Sequence, residues 1–314
     1  MEKISLALLS GGISSEREVS LNSGAQVFEA LDKARYDIRR YDPQSDLPKL
    51  VADAGEIDAA LIILHGPYGE DGTVQGLLDL LNIPYQGSGV LGSAMAMNKL
   101  VAKQLYEKAA LPVASYMVVS NRDQMTPEAI EKALGLPVVV KPIEAGSSVG
   151  MSIVRSIEAF GGALDVAFEH SRSVMLEAYI DGVELTAGVL GNDDLEALPL
   201  IEIIPDKAHA FFDYEAKYTS GVTQEICPAR ISSELTSKAQ QYALTAHKAL
   251  HCRGYSRTDM ILKGDELYLL ETNTIPGMTA TSLFPQAAAV SGYSFSQLLD
   301  KLIQLSIEDH QRGR

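Results

Sequence analysis

The chain has 314 residues, with 26 Lys plus Arg against 41 Asp plus Glu, for a formal charge of −15. At about 100–200 residues per domain the length suggests two or three domains, and 46% apolar with 21% charged residues excludes a mainly disordered chain. The negative field repels nucleic acid and anionic lipid, so neither is expected as a main partner, while a small anion stays admissible where local cations, amides or a metal offset that field.

Met1-Glu2-Lys3 precedes an apolar run too short for a signal peptide, and no run is long and apolar enough for a membrane span. Cys227 and Cys252 cannot make a disulfide framework and there is no CxxC pair. A reducing, cytoplasmic setting is the simplest expectation.

Residues 4–9 form a short apolar run ending at Ser10-Gly11-Gly12, as buried strands of parallel sheets do. A helix is expected from Ser14 or Ser15, with Val19, Val27, Phe28 and Leu31 on its apolar side. Residues 36–41 and 57–64 read as the next strands, so this first unit is an α/β layer with right-handed crossovers. Residues 94–110 read as one helix. Strands at 115–119, 138–141, 151–154 and 174–179, with a helix near 157–168, make a small α+β unit. The last third opens with strands at 183–190 and 197–204, followed by a loop over 211–222 rich in Tyr and charge. Ser232 or Ser233 caps a helix of about five turns. A hairpin over 255–262 and 266–271 turns at Lys263-Gly264-Asp265, and two helices close the chain.

Several segments carry chemistry. Gly87-Ser88-Gly89-Val90-Leu91-Gly92 matches GxGxxG, but it follows the third strand and no acidic residue sits on the tip of a clear second strand. A tight turn capping a helix is therefore favoured over a dinucleotide site. No GxxxxGK[ST] loop occurs. Lys141 ends a β-rich run and leads into a Gly/Ser loop to Gly150. Small residues there let amides approach phosphate oxygens and Lys adds a point charge, although a plain hairpin loop has the same composition. The hairpin can set Asp259 opposite Glu271 and Asn273, three oxygen ligands that suit Mg²⁺. Arg257 shares their strand face, so an ordinary ion pair is the alternative. Pro276-Gly277 makes a sharp turn that could offer the Gly277 amide to a ligand. His65 opens a Gly-rich loop at the carboxyl end of a strand, where α/β sheets bind ligands.

Taken in order, these residues resemble the ATP-grasp carboxylate–amine ligases, and within them the D-alanine–D-alanine ligase family. The resemblance spans nearly the whole chain. It runs through Gly11 to Ser20, His65 to Gly76, Gly87 to Lys99, Lys141 to Gly150, Glu215 to Tyr218, Arg257 to Asp259 and Glu271 to Met278. It implies a three-domain ATP-grasp architecture of α/β and α+β type. The expected units are an N-terminal parallel-sheet α/β domain over 1–94, a central small domain over 95–181 and a C-terminal domain over 182–314 carrying metal site and lid.

The implied activity is ATP-dependent joining of two D-alanines through an acyl phosphate, for cell-wall peptidoglycan precursors. The alternatives are a related ligase with another acceptor such as D-lactate, or a nucleotide-binding regulator without turnover. The implied cofactors are ATP and two Mg²⁺ (or Mn²⁺), and a homodimer is compatible with the resemblance. By resemblance, Lys99, Lys141 and Lys217 hold phosphates, and the loop with Ser147 and Ser148 folds over them. Glu177, Ala178, Tyr179 and Ile180 read adenine, and Glu184 the ribose. Asp259, Glu271 and Asn273 carry the metals, Asn273 beside the nucleotide. Arg257 and the Gly277 amide stabilise the tetrahedral oxyanion. Glu16 pairs with the first D-alanine's ammonium and His65 lies beside that substrate. Ser282 and Leu283 receive the second substrate's carboxylate. Ser147 and Tyr218 bond with Glu16 across the closed lid, and Tyr at 218 goes with a dipeptide product. The chain departs from the commonest pattern at Ile143-Glu144-Ala145, at Tyr255-Ser256, at Ile275, and at Ala280-Thr281, where a His is often found.

Overall fold

The structure is a computed structural model that describes residues 3–122, 124–144, 146, 149–205 and 223–313. Ser147, Ser148, Lys217, Tyr218 and the expected lid over 211–222 lie outside the described residues.

The first sheet is parallel, in the order β2 (Tyr36–Tyr41), β1 (Ile4–Leu9), β3 (Ala59–Ile62). Successive side chains of β1 point to opposite faces. Leu6 and Leu8 join one core and Ala7 and Leu9 another, so both faces are covered and the run is apolar throughout. Helix α1 (Arg17–Ala30) starts later than expected, with Glu16 at its N-cap position. Ser14 does serve the first turn. Its Oγ accepts from the Glu16 amide at 3.2 Å and donates to the His65 carbonyl at 2.7 Å, which ties the loop after β1 to the loop after β3. Helices α2 (Leu47–Asp53) and α3 (Thr73–Leu80) complete this layer.

The expected helix over 94–110 is two helices, α4 (Val90–Met97) and α5 (Lys99–Lys108). Asn98 makes the break: its extended backbone ends α4, and its side chain accepts from the Val101 amide at 3.1 Å to cap α5. The GxGxxG segment is the turn into α4. Gly89 is its N-cap, Gly87 has φ +86°, and a methyl on Gly254 would lie 3.0 Å from the Gly87 amide nitrogen. Close packing of two backbones accounts for Gly87 and Gly254.

The second sheet is antiparallel, in the order β4 (Tyr116–Val119), β7 (Val174–Ala178), β5 (Val138–Pro142), β6 (Ser152–Val154). Helices α6 (Pro127–Leu134) and α7 (Phe160–His170) border it, and Val138, Val140, Phe160, Leu164 and Leu176 share its core. The third sheet is antiparallel and larger, in the order β11 (Thr223–Ile226), β10 (Ile201–Pro205), β8 (Val183–Gly191), β12 (Gly254–Lys263), β13 (Glu266–Asn273). The short β9 (Glu196–Ala197) also pairs with β8, so the expected strand over 197–204 is two strands. Helix α8 (Ser233–Ala249) covers this sheet together with α5, whose Ala102 and Tyr106 are buried with Leu185, Val189 and Leu269. The C-terminal helices α9 (Leu283–Val290) and α10 (Phe295–Gln311) close back on the first sheet. Leu298, Leu299, Leu302 and Ile303 meet Leu6, Leu8 and Leu61 there. Among the described residues no helix is long and apolar enough to cross a membrane.

Candidate active site

Helix α5 carries Lys99, Lys103 and Tyr106 at spacings of four and three, which place them on one face. Each reaches a different polar partner. Lys99 Nζ lies 3.3 Å from Glu271 Oε2, and Tyr106 donates to Thr272 Oγ1 at 2.7 Å, both partners on β13. Lys103 Nζ pairs with Glu177 Oε1 on β7, and Lys141 Nζ on β5 pairs with Glu177 Oε2. Burial works against ionisation of Glu177, but the Lys141 and Lys103 ammonium groups outweigh it and hold its carboxyl below the usual range.

The hairpin of β12 and β13 sets Arg257 opposite Asn273 and Asp259 opposite Glu271, with a register shift just after Asp259. Asp259 is buried and densely bonded. Arg257 clamps it through Nε–Oδ1 at 2.9 Å and Nη2–Oδ2 at 2.8 Å, Thr186 donates to Oδ1 at 2.6 Å, and Asn273 Nδ2 donates to Oδ2 at 3.2 Å. Two carboxylates and an amide thus converge from adjacent strands. Among the described residues no cluster of three His, Cys, Asp or Glu could hold a metal. The donor set of Asp259, Glu271 and Asn273 still fits a hard divalent cation that takes its remaining ligands from water or phosphate. Arg257 and Lys99 presently supply the positive charge these carboxylates attract.

Two cavities meet here. One, of about 130 Å³, has apolar walls of Val139, Met151, Ile153, Ile261 and Leu270. Lys141, Glu177, Ala178, Tyr179, Ile180, Glu184 and Asp259 are also in its lining. The other, of about 440 Å³, is lined by Glu16, His65, Arg257, Asn273, Gly277, Ser282 and Leu283 among others. Lys99 and Glu271 line both and mark the junction.

The larger cavity is polar. Glu16 is buried beside two glycines: a methyl on Gly66, where φ is +71°, would lie 2.8 Å from Glu16 Oε2, and one on Gly146 would lie 3.3 Å away. The left-handed backbone at Gly66 favours glycine, whereas at Gly146 a methyl would need Glu16 to give by only a few tenths of an ångström. Burial pushes the His65 imidazole below its ordinary value; Arg257 adds to this, while Glu16 and a bond to the Ile275 backbone oppose it. The ring is therefore neutral near pH 7, and its Nε2 has no partner among the described residues. Thr279 and Ser282 share a hydroxyl bond of 2.7 Å, and the Thr279 amide donates to Ser282 Oγ at 3.1 Å.

Several lining residues were not singled out from the sequence. Burial raises Glu70 to about 8, helped by the nearby Glu16, although its Oε2 accepts from the Gly66 amide at 2.7 Å. Glu225 is raised by burial and bonded by Gln286. Lys103, Tyr106, Thr186 and Thr258 lie beneath the site, and Thr258 bonds Thr272 at 2.9 Å. Glu70 stood in the His65–Gly72 segment and could have been found there; Lys103 carried no local signal.

A large antiparallel sheet and a smaller one that line one cavity, with Lys141 and Glu177 from the smaller and Asp259 and Glu271 from the larger, define the ATP-grasp class. Family models described as D-ala D-ala ligase N-terminus and C-terminus match residues 42–88 and 105–304. A D-alanine–D-alanine ligase of Syntrophobacter fumaroxidans is 62% identical over 98% of this chain and 99% of its own. A Bacillus anthracis D-alanine–D-alanine ligase complexed with ATP superposes with TM-score 0.86 at 32% identity, over 99% of this chain and all of that one. The VanG D-Ala:D-Ser ligase of Enterococcus faecalis gives 0.83 at 33%, over 97% of this chain and all of that one. The chain belongs to the D-alanine–D-alanine ligase family.

Proposed function

We propose that the protein joins two D-alanines to D-alanyl-D-alanine at the expense of ATP, as a step toward cell-wall peptidoglycan. The observation that carries this reading is the meeting of the two cavities at Lys99 and Glu271. One has the apolar walls and buried carboxylate suited to a purine, and the other the charged groups suited to amino acids.

Adenine lies against Ala178, Tyr179 and Ile180 with Glu177 as acceptor, ribose meets Glu184, and Lys99 and Lys141 receive phosphates. Asp259, Glu271 and Asn273 would hold two Mg²⁺ or Mn²⁺, which supply charge neutralisation for phosphoryl transfer when bound. The ammonium of the first D-alanine pairs with Glu16, and neutral His65 lies beside it. Its carboxylate attacks the γ-phosphate to give an acyl phosphate and ADP. The second D-alanine, its carboxylate held at Ser282 and Leu283, attacks the carbonyl through its amine. Arg257 and the Gly277 amide face the oxyanion that forms, and phosphate leaves. Ser147, Ser148, Lys217 and Tyr218 belong to the loops that exclude water from the acyl phosphate in this reading. The three units 1–94, 95–181 and 182–314 are part of the proposal and are supported by each sheet falling within one of them. A cytoplasmic location and a homodimer are further parts of the proposal.

D-alanine-dependent phosphate release, with the product identified by mass spectrometry, tests the reading. D-alanyl-D-alanine as the product is expected. ATP binding without D-alanine-dependent ADP release would overturn it in favour of a regulator. Because the VanG neighbour is a D-Ala:D-Ser ligase, D-serine and D-lactate belong in the acceptor panel, and a mixed product or ester made in preference to the dipeptide would overturn the acceptor assignment.

A further inference from the structure

Lys103 is one of the few fully buried lysines a chain can carry, with its side chain 1% exposed. Its ammonium sits on Glu177 Oε1, and the Tyr116 ring lies 5.8 Å away by its centroid. Lys141 takes the other oxygen of the same carboxylate. Two ammonium groups share one carboxylate; burial pushes the Lys103 ammonium below its ordinary value, and the charges of Glu177 and the nearby Glu107 oppose that shift.

The three groups are not equivalent with respect to the cavity. Lys141 and Glu177 line the nucleotide-side cavity, whereas Lys103 does not. It lies behind Glu177, out of an incoming ligand's reach. A carboxylate as buried as Glu177 needs a counter-charge at all times, because stripping a buried ion of its partner is costly. If Lys141 were its only partner, moving that ammonium onto a phosphate would leave Glu177 uncompensated. With Lys103 in place, Lys141 can leave and Glu177 stays paired.

We propose that Lys103 is a positioning residue for the nucleotide. It is the permanent counter-ion of Glu177, and it releases Lys141 to bind the polyphosphate while keeping Glu177 an ionised acceptor for the base. The inference rests on the proposed ATP-dependent reaction and extends it to a residue that touches neither substrate nor nucleotide.

The test compares steady-state phosphate release for wild type, Lys103→Met, Lys103→Arg, Glu177→Gln and the double variant Lys103→Met/Glu177→Gln, with thermal melts as the check on folding. Lys103→Met should raise KM for ATP roughly 10–100-fold, the range set by losing a close opposite charge, and change kcat less than about 3-fold. Lys103→Arg, which keeps the charge, should recover most of that loss. In the Glu177→Gln background, where no carboxylate needs a counter-ion, the same Lys103→Met change should cost no more than about 3-fold. A KM within about 2-fold of wild type for Lys103→Met would overturn the inference. So would an equal rise in both backgrounds, which is what a packing role produces. Should Lys103→Met not fold, Lys103→Gln keeps a donor without the charge and carries the same expectation. Failure of the wild type to turn over ATP with D-alanine would overturn the proposed function; normal wild-type turnover with an unaffected Lys103 variant overturns this inference alone.

Discussion

The nucleotide-side and substrate-side cavities meet at Lys99 and Glu271 but handle charge differently. In the first, the buried carboxylate of Glu177 is paired on both oxygens, and much of the remaining wall is apolar, from Val139, Met151, Ile153, Ile261 and Leu270. In the second, buried polar groups are held ready for something else. His65 Nε2 has no partner among the described residues, and Glu70 keeps its proton to about pH 8. A pocket for the unreacting portion of a ligand can be finished in advance. A site where bonds change needs groups whose partners arrive with the substrate.

The largest expected effect tests where the cavities join. Arg257→Ala should lower kcat by about 10²–10³ and leave ATP affinity much less affected, as for loss of an oxyanion donor. An unchanged kcat would reduce Arg257 to the clamp on Asp259 that the structure displays. Next, Glu16→Gln should raise KM for the first D-alanine roughly 10–100-fold with KM for ATP nearly unchanged, since it removes one charge of a buried pair. Equal effects on both ligands would erase the distinction between the cavities. A smaller expectation concerns Ser282→Ala, a few-fold rise in KM for the second D-alanine as one hydroxyl contact is lost; a matching rise for the first would place Ser282 elsewhere.

The last expectation concerns stability. The folded Glu70 carboxyl titrates near 8, above its ordinary value of 4.5, so the folded state binds more protons between those limits. Stability therefore falls as pH rises through that window, by at most about 1.4 kcal/mol per pH unit from this group. Glu70→Gln should flatten that decline in melts at pH 5 to 8. A slope identical to wild type would mean that Glu70 is not the group responsible.

Much of this arrangement was legible in the residues. The apolar run of β1, the hairpin of β12 and β13, and the Ser232 cap of α8 are local patterns, and local patterns survive folding. The Asp259–Glu271 pairing followed from hairpin register alone. What escaped depended on distant partners. The break at Asn98 is set by one side chain choosing to cap, and the split between β9 and β10 surrounds Leu198-Pro199-Leu200, where proline cannot give a ladder hydrogen bond. Lys103 reads as one more lysine on an amphipathic helix, and only the approach of β7, some 70 residues later in the chain, makes it a counter-ion. The roles assigned to Ser147, Ser148, Lys217 and Tyr218 rest on resemblance, since they fall outside the described residues.

Helix α5 behaves as a ruler laid along the cleft. Lys99, Lys103 and Tyr106 are marks at fixed intervals, each aligned with a partner on a strand of one of two different sheets. Substitution on its outward face should be tolerated freely. Inserting or deleting one residue would turn everything beyond it by about 100°. A change between Lys99 and Lys103 would thus misalign the junction with the base pocket while leaving composition, charge and helix propensity almost untouched. Length at this point in the chain is consequently as strictly constrained as the identity of any residue in the site.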